Sequence, residues 1–519
     1  MASAFEERHA ASIHGSLTTV DRLIIHGHLR HFFEPSGFVG FMLRQGVKPQ
    51  GFGKYVQEAT EQLCGHIRKL AADAGREVTW QPGVVHGKDQ LAREIAKRDG
   101  ITQGLICVFS TLEMATCFAY ARGTVVREQR KCLHFYLYLI DPELGFMHLR
   151  IQSWFPFLIQ IYINGREWLS RQLDRRKVGY HRYDNTFLQI DDLPLAQKLC
   201  KGFSRRRWWR VFDAFARRIN PLLPAIRRQG FGTYYWCIDA CEVATDVMWL
   251  NRRTLLTILD DVIDHAIRAF SAKDVVRFLG HKVYPSSKPL LSHYKWYPPG
   301  DATAAQFHPE ARRIKHRLWK NWIKMYDKWS VLRVETVINY PKYFKVLKFE
   351  TDRRGRKRGH WTPMSKNVQN LWRYLELGEA SNRRYLDALV TVTPTRRAIA
   401  ELDVLCRGRT VRGRRWPKLN PVGPDDCALF RAVLSGEHAI QGFRNRTLQY
   451  KLFPTRADTT AEQLRRCARI SRQIAKLRGH GLVAKVPGSR LYRTTPRGHR
   501  VMSAALRFRD LEFRTALAA

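Results

Sequence analysis

The sequence is short of acids. It carries 46 Asp plus Glu against 89 Lys plus Arg, a formal net charge of +43. Solubility does not require such an excess, and it implies a polyanionic partner, for which nucleic acid is the first expectation. A membrane surface would call for a basic amphipathic helix standing apart from the fold, and none is present. Long apolar runs are missing too. The longest, near Phe155 to Ile163, is strand-length and broken by Pro156 and Gln160, so no transmembrane span is expected. Met1 to Ser16 holds Glu6, Glu7, Arg8 and two histidines with no apolar stretch, so no secretory leader is expected. The 10 cysteines are scattered without a Cys-x-x-Cys pair. Cys237 and Cys241 find no second pair, so reduced thiols and a cytoplasmic location are expected rather than a zinc site.

What the chain does have is a meander. Leu133 to Ile140 is rich in aromatic and branched residues, as a strand should be. It stops at Asp141-Pro142-Glu143-Leu144-Gly145, a turn sequence. Phe146 to Ser153 alternates, with Met147, Leu149 and Ile151 opposite His148, Arg150 and Gln152. Leu158 to Ile163 is a third strand, and Glu167 to Leu173 reads as a helix. Upstream, a strand begins at Asp21, a helix spans Tyr55 to Ala74, and Gly104 to Ser110 is another strand. At 519 residues and 45% hydrophobic, the chain can bury a large core. The expected fold is α/β with a largely antiparallel sheet. Expected regions are 1–130, a central body 131–350, a basic helical and linker region 351–423, and a module from 424 to 519.

That last module has the order of a winged helix. Helices are expected at Pro424 to Leu434, Phe443 to Phe453 and Thr460 to Gly479, then a hairpin around Pro487-Gly488-Ser489, then a helix from Val501. The third helix places Leu464, Ala468, Ile470, Ile474 and Leu477 on an apolar side. Arg465, Arg466, Arg469, Arg472 and Lys476 cover the rest, and Arg490 stands on the wing. Such domains insert the third helix in the major groove. Other expected nucleic-acid contacts are Arg205, Arg206 and Arg207 with Trp208 and Trp209, where arginine meets phosphate and tryptophan stacks on a base. Further candidates are Arg354, Arg356 and Arg358 in one basic stretch and Arg414 and Arg415 in another. The alternative for each is a solvated basic face over an ordinary core.

Chemistry, if there is any, has two candidate sets. Thr233 to Leu250 reads as a helix with Asp239, Glu242 and Asp246 on one face. Together with Asp141, Glu242 or Asp246 would bind magnesium or manganese and activate water or a hydroxyl, with Asp141 and Glu242 as the metal ligands. The second set lies in a hairpin expected from Trp322 to Asp327 and Val331 to Ile338. There Tyr326 would be a nucleophile, Lys328 would lower its pKa and Glu335 would orient it. Structural ion pairs are the competing explanation for both. His26 and His28, two apart on a strand, are weighed as a metal pair and read rather as ordinary histidines.

The hairpin resembles the Tyr-x-Lys and Leu-Arg-x-Glu hairpin of some rolling-circle replication initiators. On KCLHFYLYLID, IQSWFPFLIQIYINGREWL, DACEVATDV, IKMYDKWSVLRVET and the tail, the chain resembles a family of uncharacterised bacterial nucleic-acid-binding proteins. The tail, from GFRNRTL to LRGHGLVAKVPGSRLYRTT, is similar to MarR-type winged-helix regulators. The family resemblance implies a nucleic-acid partner and transfers no catalytic residue. The expected function is therefore a nuclease, transposase or replication initiator of a mobile genetic element, acting on DNA or on RNA and DNA. The alternative is a non-catalytic winged-helix regulator or structured-RNA-binding protein. Oligomeric state is left open.

Overall fold

The computed structural model describes residues 3–82, 87–271, 274–280, 302–308, 311–318, 320–351, 357–390, 398–411, 413–455 and 457–512. Its centre is an eleven-stranded sheet ordered β10-β11-β12-β13-β9-β1-β6-β5-β4-β3-β2. The strands are β1 (Ile13–Leu29), β2 (Val78–Trp80), β3 (Gly104–Ala121), β4 (Thr124–Asp141), β5 (Gly145–Gln152), β6 (Ile159–Asn164), β9 (Tyr234–Trp249), β10 (Ala302–His308), β11 (Ala311–Leu318), β12 (Asn321–Lys328) and β13 (Val331–Ile338). A side hairpin joins β7 (Tyr180–Tyr183) to β8 (Thr186–Ile190). Among the described residues only the short β2–β3 pairing is parallel. The expected mixed α/β body with a largely antiparallel sheet is what forms.

The strand order repeats. From the central β1–β9 pair the sheet reads β6-β5-β4-β3 on one side and β13-β12-β11-β10 on the other. Each half lays down a long central strand first, then helices, then a four-stranded meander whose last strand returns beside the first. Because β1 and β9 run antiparallel, the halves are related by an approximate two-fold perpendicular to the sheet. It passes near Thr18 and Thr245, whose hydroxyl oxygens are 2.9 Å apart.

The helices of the body are α1 (Ala4–Arg8), α2 (Pro35–Arg44), α3 (Phe52–Asp73), α4 (Lys88–Arg98), α5 (Gly165–Arg175), α6 (Leu193–Arg205), α7 (Trp208–Ile219), α8 (Leu223–Arg228), α9 (Arg252–Ala269), α10 (Val275–Phe278) and α11 (Leu371–Leu389). Most cover one face of the sheet. α11 shows how: Asn382 donates to the Val243 carbonyl (3.0 Å), and Thr336 donates to Asn382 Oδ1 (2.7 Å). Since side chains alternate along a strand, Arg333 and Glu335 must leave by the opposite face. Among the described residues, α4 edges that face, and the β7–β8 hairpin and the start of α5 cover its centre, where Asn185, Thr186 and Arg166 meet Asp21, Asp246 and Arg333. A separate hairpin, β14 (Lys345–Thr351) with β15 (Lys357–Pro363), precedes α11.

Three expectations need correction. Residues 233–250 form strand β9, not a helix. Tyr234, Trp236, Ile238, Cys241 and Val243 alternate into the core, and the aromatic and branched side chains suit a pleated surface. Asp239, Glu242 and Asp246 therefore do not share a helical face. The boundary expected at 130 falls inside β4, and one buried core runs from Phe5 to Leu389. The regions 1–130 and 131–350 interleave in one sheet, because β1 is sandwiched between β6 and β9.

The C-terminal unit has its own core, from Leu405 to Leu506. Its elements are α12 (Ala398–Leu405), the hairpin β16 (Arg409–Val411) and β17 (Arg414–Trp416), α13 (Pro424–Leu434), α14 (Gly436–Gln441), α15 (Asn445–Leu452), α16 (Thr460–Gly479), the hairpin β18 (Val483–Lys485) and β19 (Tyr492–Thr494), and α17 (Pro496–Arg507). Thr459 caps α16 by accepting from Glu462 N at 3.2 Å, and Thr495 caps α17 by accepting from Gly498 N at 2.9 Å, with Pro496 at the first helical position. The unit packs on the body through ion pairs of Glu437 with Arg277 and Asp261 with Arg507.

Candidate nucleic-acid interface and its buried charge network

At the pseudo-two-fold, each half contributes one carboxylate and one guanidinium. Asp21 comes from β1 and Asp246 from β9; Arg166 follows β6 and Arg333 lies on β13. Arg166 is completely buried and reaches Asp21 at 2.6 Å and Asp246 at 3.0 Å. Arg333 Nε reaches Asp246 at 2.7 Å, and its Nη2 donates to Thr186 Oγ1 (2.8 Å) and the Asn185 carbonyl (3.2 Å). Asn164 positions Arg166 by capping α5, accepting from Arg166 N at 2.8 Å. Burial opposes the Asp21 carboxylate, but Arg166 and Arg333 outweigh it and hold its pKa below the usual range. Burial likewise opposes the Arg333 charge, and Asp246 keeps it firmly protonated. Two acids and two bases cancel, which is the condition for burying charge at all.

Next to this quartet lie Glu242, Glu335, Lys324 and Tyr326. Lys324 sits 2.8 Å from Glu335 and 3.7 Å from Glu242, and Tyr326 donates to Glu335 at 2.8 Å. Burial and the Glu335 charge push the Glu242 carboxyl up to about 8, so it is protonated at neutral pH. Glu335 stays ionised: burial opposes its charge, and Lys324 with the hydrogen bond from Glu242 reverses that. Burial raises the Tyr326 phenol.

Neither expected catalytic set assembles in full, although Tyr326 and Glu335 of the second do meet. Asp141 accepts from its own turn, Glu143 N at 2.8 Å and Leu144 N at 2.9 Å. It lies on β4, four strands from β9, or about 19 Å at ordinary strand spacing. It therefore shares no metal with Glu242, and Asp246 is committed to its two arginines. Among the described residues no group of three or more His, Cys, Asp or Glu side chains is placed to hold a metal ion. Lys328 pairs with Asp184 and not with Tyr326, and the Tyr326 phenol is shifted away from an activated nucleophile. His26 and His28 share a face, but His26 Nε2 lies 3.0 Å from Gln160 Nε2. Gly27 between them is fixed by packing, since a Cβ there would come 2.4 Å from the Trp236 ring.

The basic candidates divide. Trp208 is fully buried and donates to the Phe203 carbonyl at 2.8 Å, so it is no stacking plane. Trp209 is half-buried, Arg206 pairs with Glu143, and Arg205 and Arg207 are exposed. Arg354 and Arg356 lie outside the described residues; Arg358 is exposed on β15. Arg414 and Arg415 are exposed on β17, with Arg414 over the Trp416 ring. On α16 the buried side is Ile470, Ile474 and Leu477, whereas Leu464 is 66% exposed and Ala468 is exposed, contrary to expectation. Arg465, Arg469 and Arg472 are exposed, as is Arg490 on the hairpin. Arg466 pairs with Glu462 and Lys476 with Asp426.

Sequence reasoning missed β11. Arg313, Lys315 and Arg317 alternate along it, and their register partners on β12 are Tyr326, Lys324 and Trp322. They therefore stand on the face away from α11. The signal was present in ARRIKHRL, a strand-like alternation of base and apolar residue. No family model, curated protein or solved structure matches this chain. Among the described residues no helix is long and apolar enough to cross a membrane.

Proposed function

We propose that the protein binds nucleic acid and that its C-terminal unit is a winged helix reading duplex DNA. The observation that carries this is α16. Its first two turns are held to α15 through Gln463 and Gln449 and present an outer side with Leu464 and Ala468 exposed and Arg465, Arg469 and Arg472 around them. A helix presented in this way, beside a β-hairpin carrying an exposed arginine, suits the major groove with the wing on a neighbouring phosphate. Binding without turnover is the better reading of the body. Its central acids are spent on arginines, and its tyrosine has a raised pKa.

The experiment is a titration of labelled duplex DNA with the full chain and with Arg469→Ala/Arg472→Ala. The variant should keep its helical content and lose at least tenfold in affinity. Equal affinity in the two proteins would overturn the assignment of α16. Incubation with magnesium or manganese should leave the DNA intact; nicking would restore the nuclease or strand-transfer reading.

A further inference from the structure

We propose that the open face of the eleven-stranded sheet is a second nucleic-acid surface, which receives the phosphate backbone of a DNA duplex laid across the strands from Arg150 to Lys315. The proposal rests on nucleic acid being the partner and is independent of α16.

The rows of this face follow from the strand register. On one half run Lys315–Lys324–Glu335 and Arg317–Trp322–Val337–Glu242, with Arg313–Tyr326–Arg333–Asp246 beside them. On the other half His26, Gln160, Arg150 and Tyr136 are aligned across β1, β6, β5 and β4. Arg22 and Arg317 are exposed, Arg313 and Lys315 are partly exposed, and the paired Lys324 and Arg150 keep 17% and 20% of their side chains exposed. The acids on the face are largely engaged: Glu335 with Lys324, Glu113 with Arg150 and Lys88, Asp239 with Lys366. Glu242 is largely protonated at neutral pH.

Three features select the occupant. First, bases outnumber acids where β11 meets β12: Arg313, Lys315, Arg317 and Lys324 stand beside Glu335 and the largely protonated Glu242. Burial lowers the Lys315 pKa, and the like charges of Lys324, Arg317 and Arg313 lower it further. A phosphate relieves that crowding, whereas an apolar protein face would worsen it. Second, the aromatic rings already carry cations. Lys315 is 4.6 Å from the Trp322 centroid, and Arg150 is 5.6 Å from that of Tyr136. The face therefore offers charge rather than bare planes for unpaired bases, which favours a duplex backbone over a single strand. Third, β5 to β11 is six strand intervals, about 29 Å, close to one duplex turn of about 34 Å. Exposed Arg22 on β1 lies inside that span, beside the quartet that the hairpin covers.

The test uses the full chain in two backgrounds. In Arg465→Ala/Arg469→Ala/Arg472→Ala, salt-dependent binding to a 30-base-pair duplex should persist. Adding Lys315→Ala and Arg317→Ala should make its log–log salt slope shallower by about 2, since each phosphate contact contributes about 0.9. Adding Arg68→Ala and Lys69→Ala instead, exposed on α3 over the covered face, should change nothing. Wild-type protein provides a check free of folding effects. Duplex DNA should slow acetylation of Lys315 and Lys324 and leave Lys69 unaffected. If the α16 variant binds nothing while wild type binds, or if Lys315 is acetylated at the same rate with DNA, the sheet surface is refuted and the proposed function stands. If wild type itself binds no duplex at low salt, both fall.

Discussion

Arg166→Met is the most informative perturbation of the body. It removes the guanidinium between Asp21 (2.6 Å) and Asp246 (3.0 Å) and leaves Arg333 as the one buried base for two buried carboxylates. Breaking a buried pair by deleting one partner costs about 3–5 kcal/mol, because the remaining charge has lost its compensation. The lost packing is small, since methionine fills most of the arginine stem. Urea unfolding at pH 7 should thus show a loss of about 3–5 kcal/mol. The pH dependence fixes the cause. Asp21 is depressed in the folded protein, so its contribution is present above the unfolded value near 3.8 and is lost as pH falls through the folded value. In the variant that contribution is absent at neutral pH, and protonation relieves the stranded carboxylate. The gap between the two proteins must therefore narrow as pH falls from 7 towards 4. A penalty under about 1 kcal/mol at pH 7, or one that widens with acid, would refute the quartet as a closed charge balance.

Glu242→Gln tests the neighbouring pair. With its pKa raised to about 8, Glu242 contributes stability below its unfolded value that is lost as pH rises through 8. The variant should gain at least about 1 kcal/mol on wild type between pH 5 and 9, and the carboxyl carbon resonance of Glu242 should titrate near 8. Tyr326→Phe deletes a 2.8 Å hydrogen bond to buried Glu335 and should cost about 1–3 kcal/mol in unfolding free energy. No denaturant-resistant DNA adduct should be seen with either protein; an adduct lost on Tyr326→Phe would restore a nucleophilic tyrosine. A fragment starting at 398 should unfold cooperatively and one starting at 424 should be weaker, because Leu405 belongs to the unit's core.

Local signals carried much of the fold. The meander of β4, β5 and β6, the hairpin of β12 and β13 across Trp329-Ser330, and the helix order of the tail were legible because strand alternation and turn residues are short-range. β9 was not. Its pairing with β1 shifts register three times, which breaks the simple alternation, and its last residues are buried on both sides. Its acids happen to fall at helical spacing. The ion quartet was illegible for another reason. Asp21 and Arg333 stand 312 positions apart, and only the return of each meander to the centre brings them together. On α16 the apolar stripe was read through to Leu464, but helical periodicity does not tell where the supporting core ends.

The central position of β1 has a consequence for how the chain is made. β1 ends at Leu29, its neighbour β6 is complete at Asn164, and its other neighbour β9 at Trp249. At a synthesis rate of about 5–20 residues per second, the strand waits roughly 10–45 s for its second partner. Until then one edge offers unpaired amide and carbonyl groups, flanked by Leu23, Ile25 and Leu29, to any passing strand. The strand that ends up most enclosed is the one a ribosome leaves bare for longest, so the yield of native protein should depend on what shields those first thirty residues during translation.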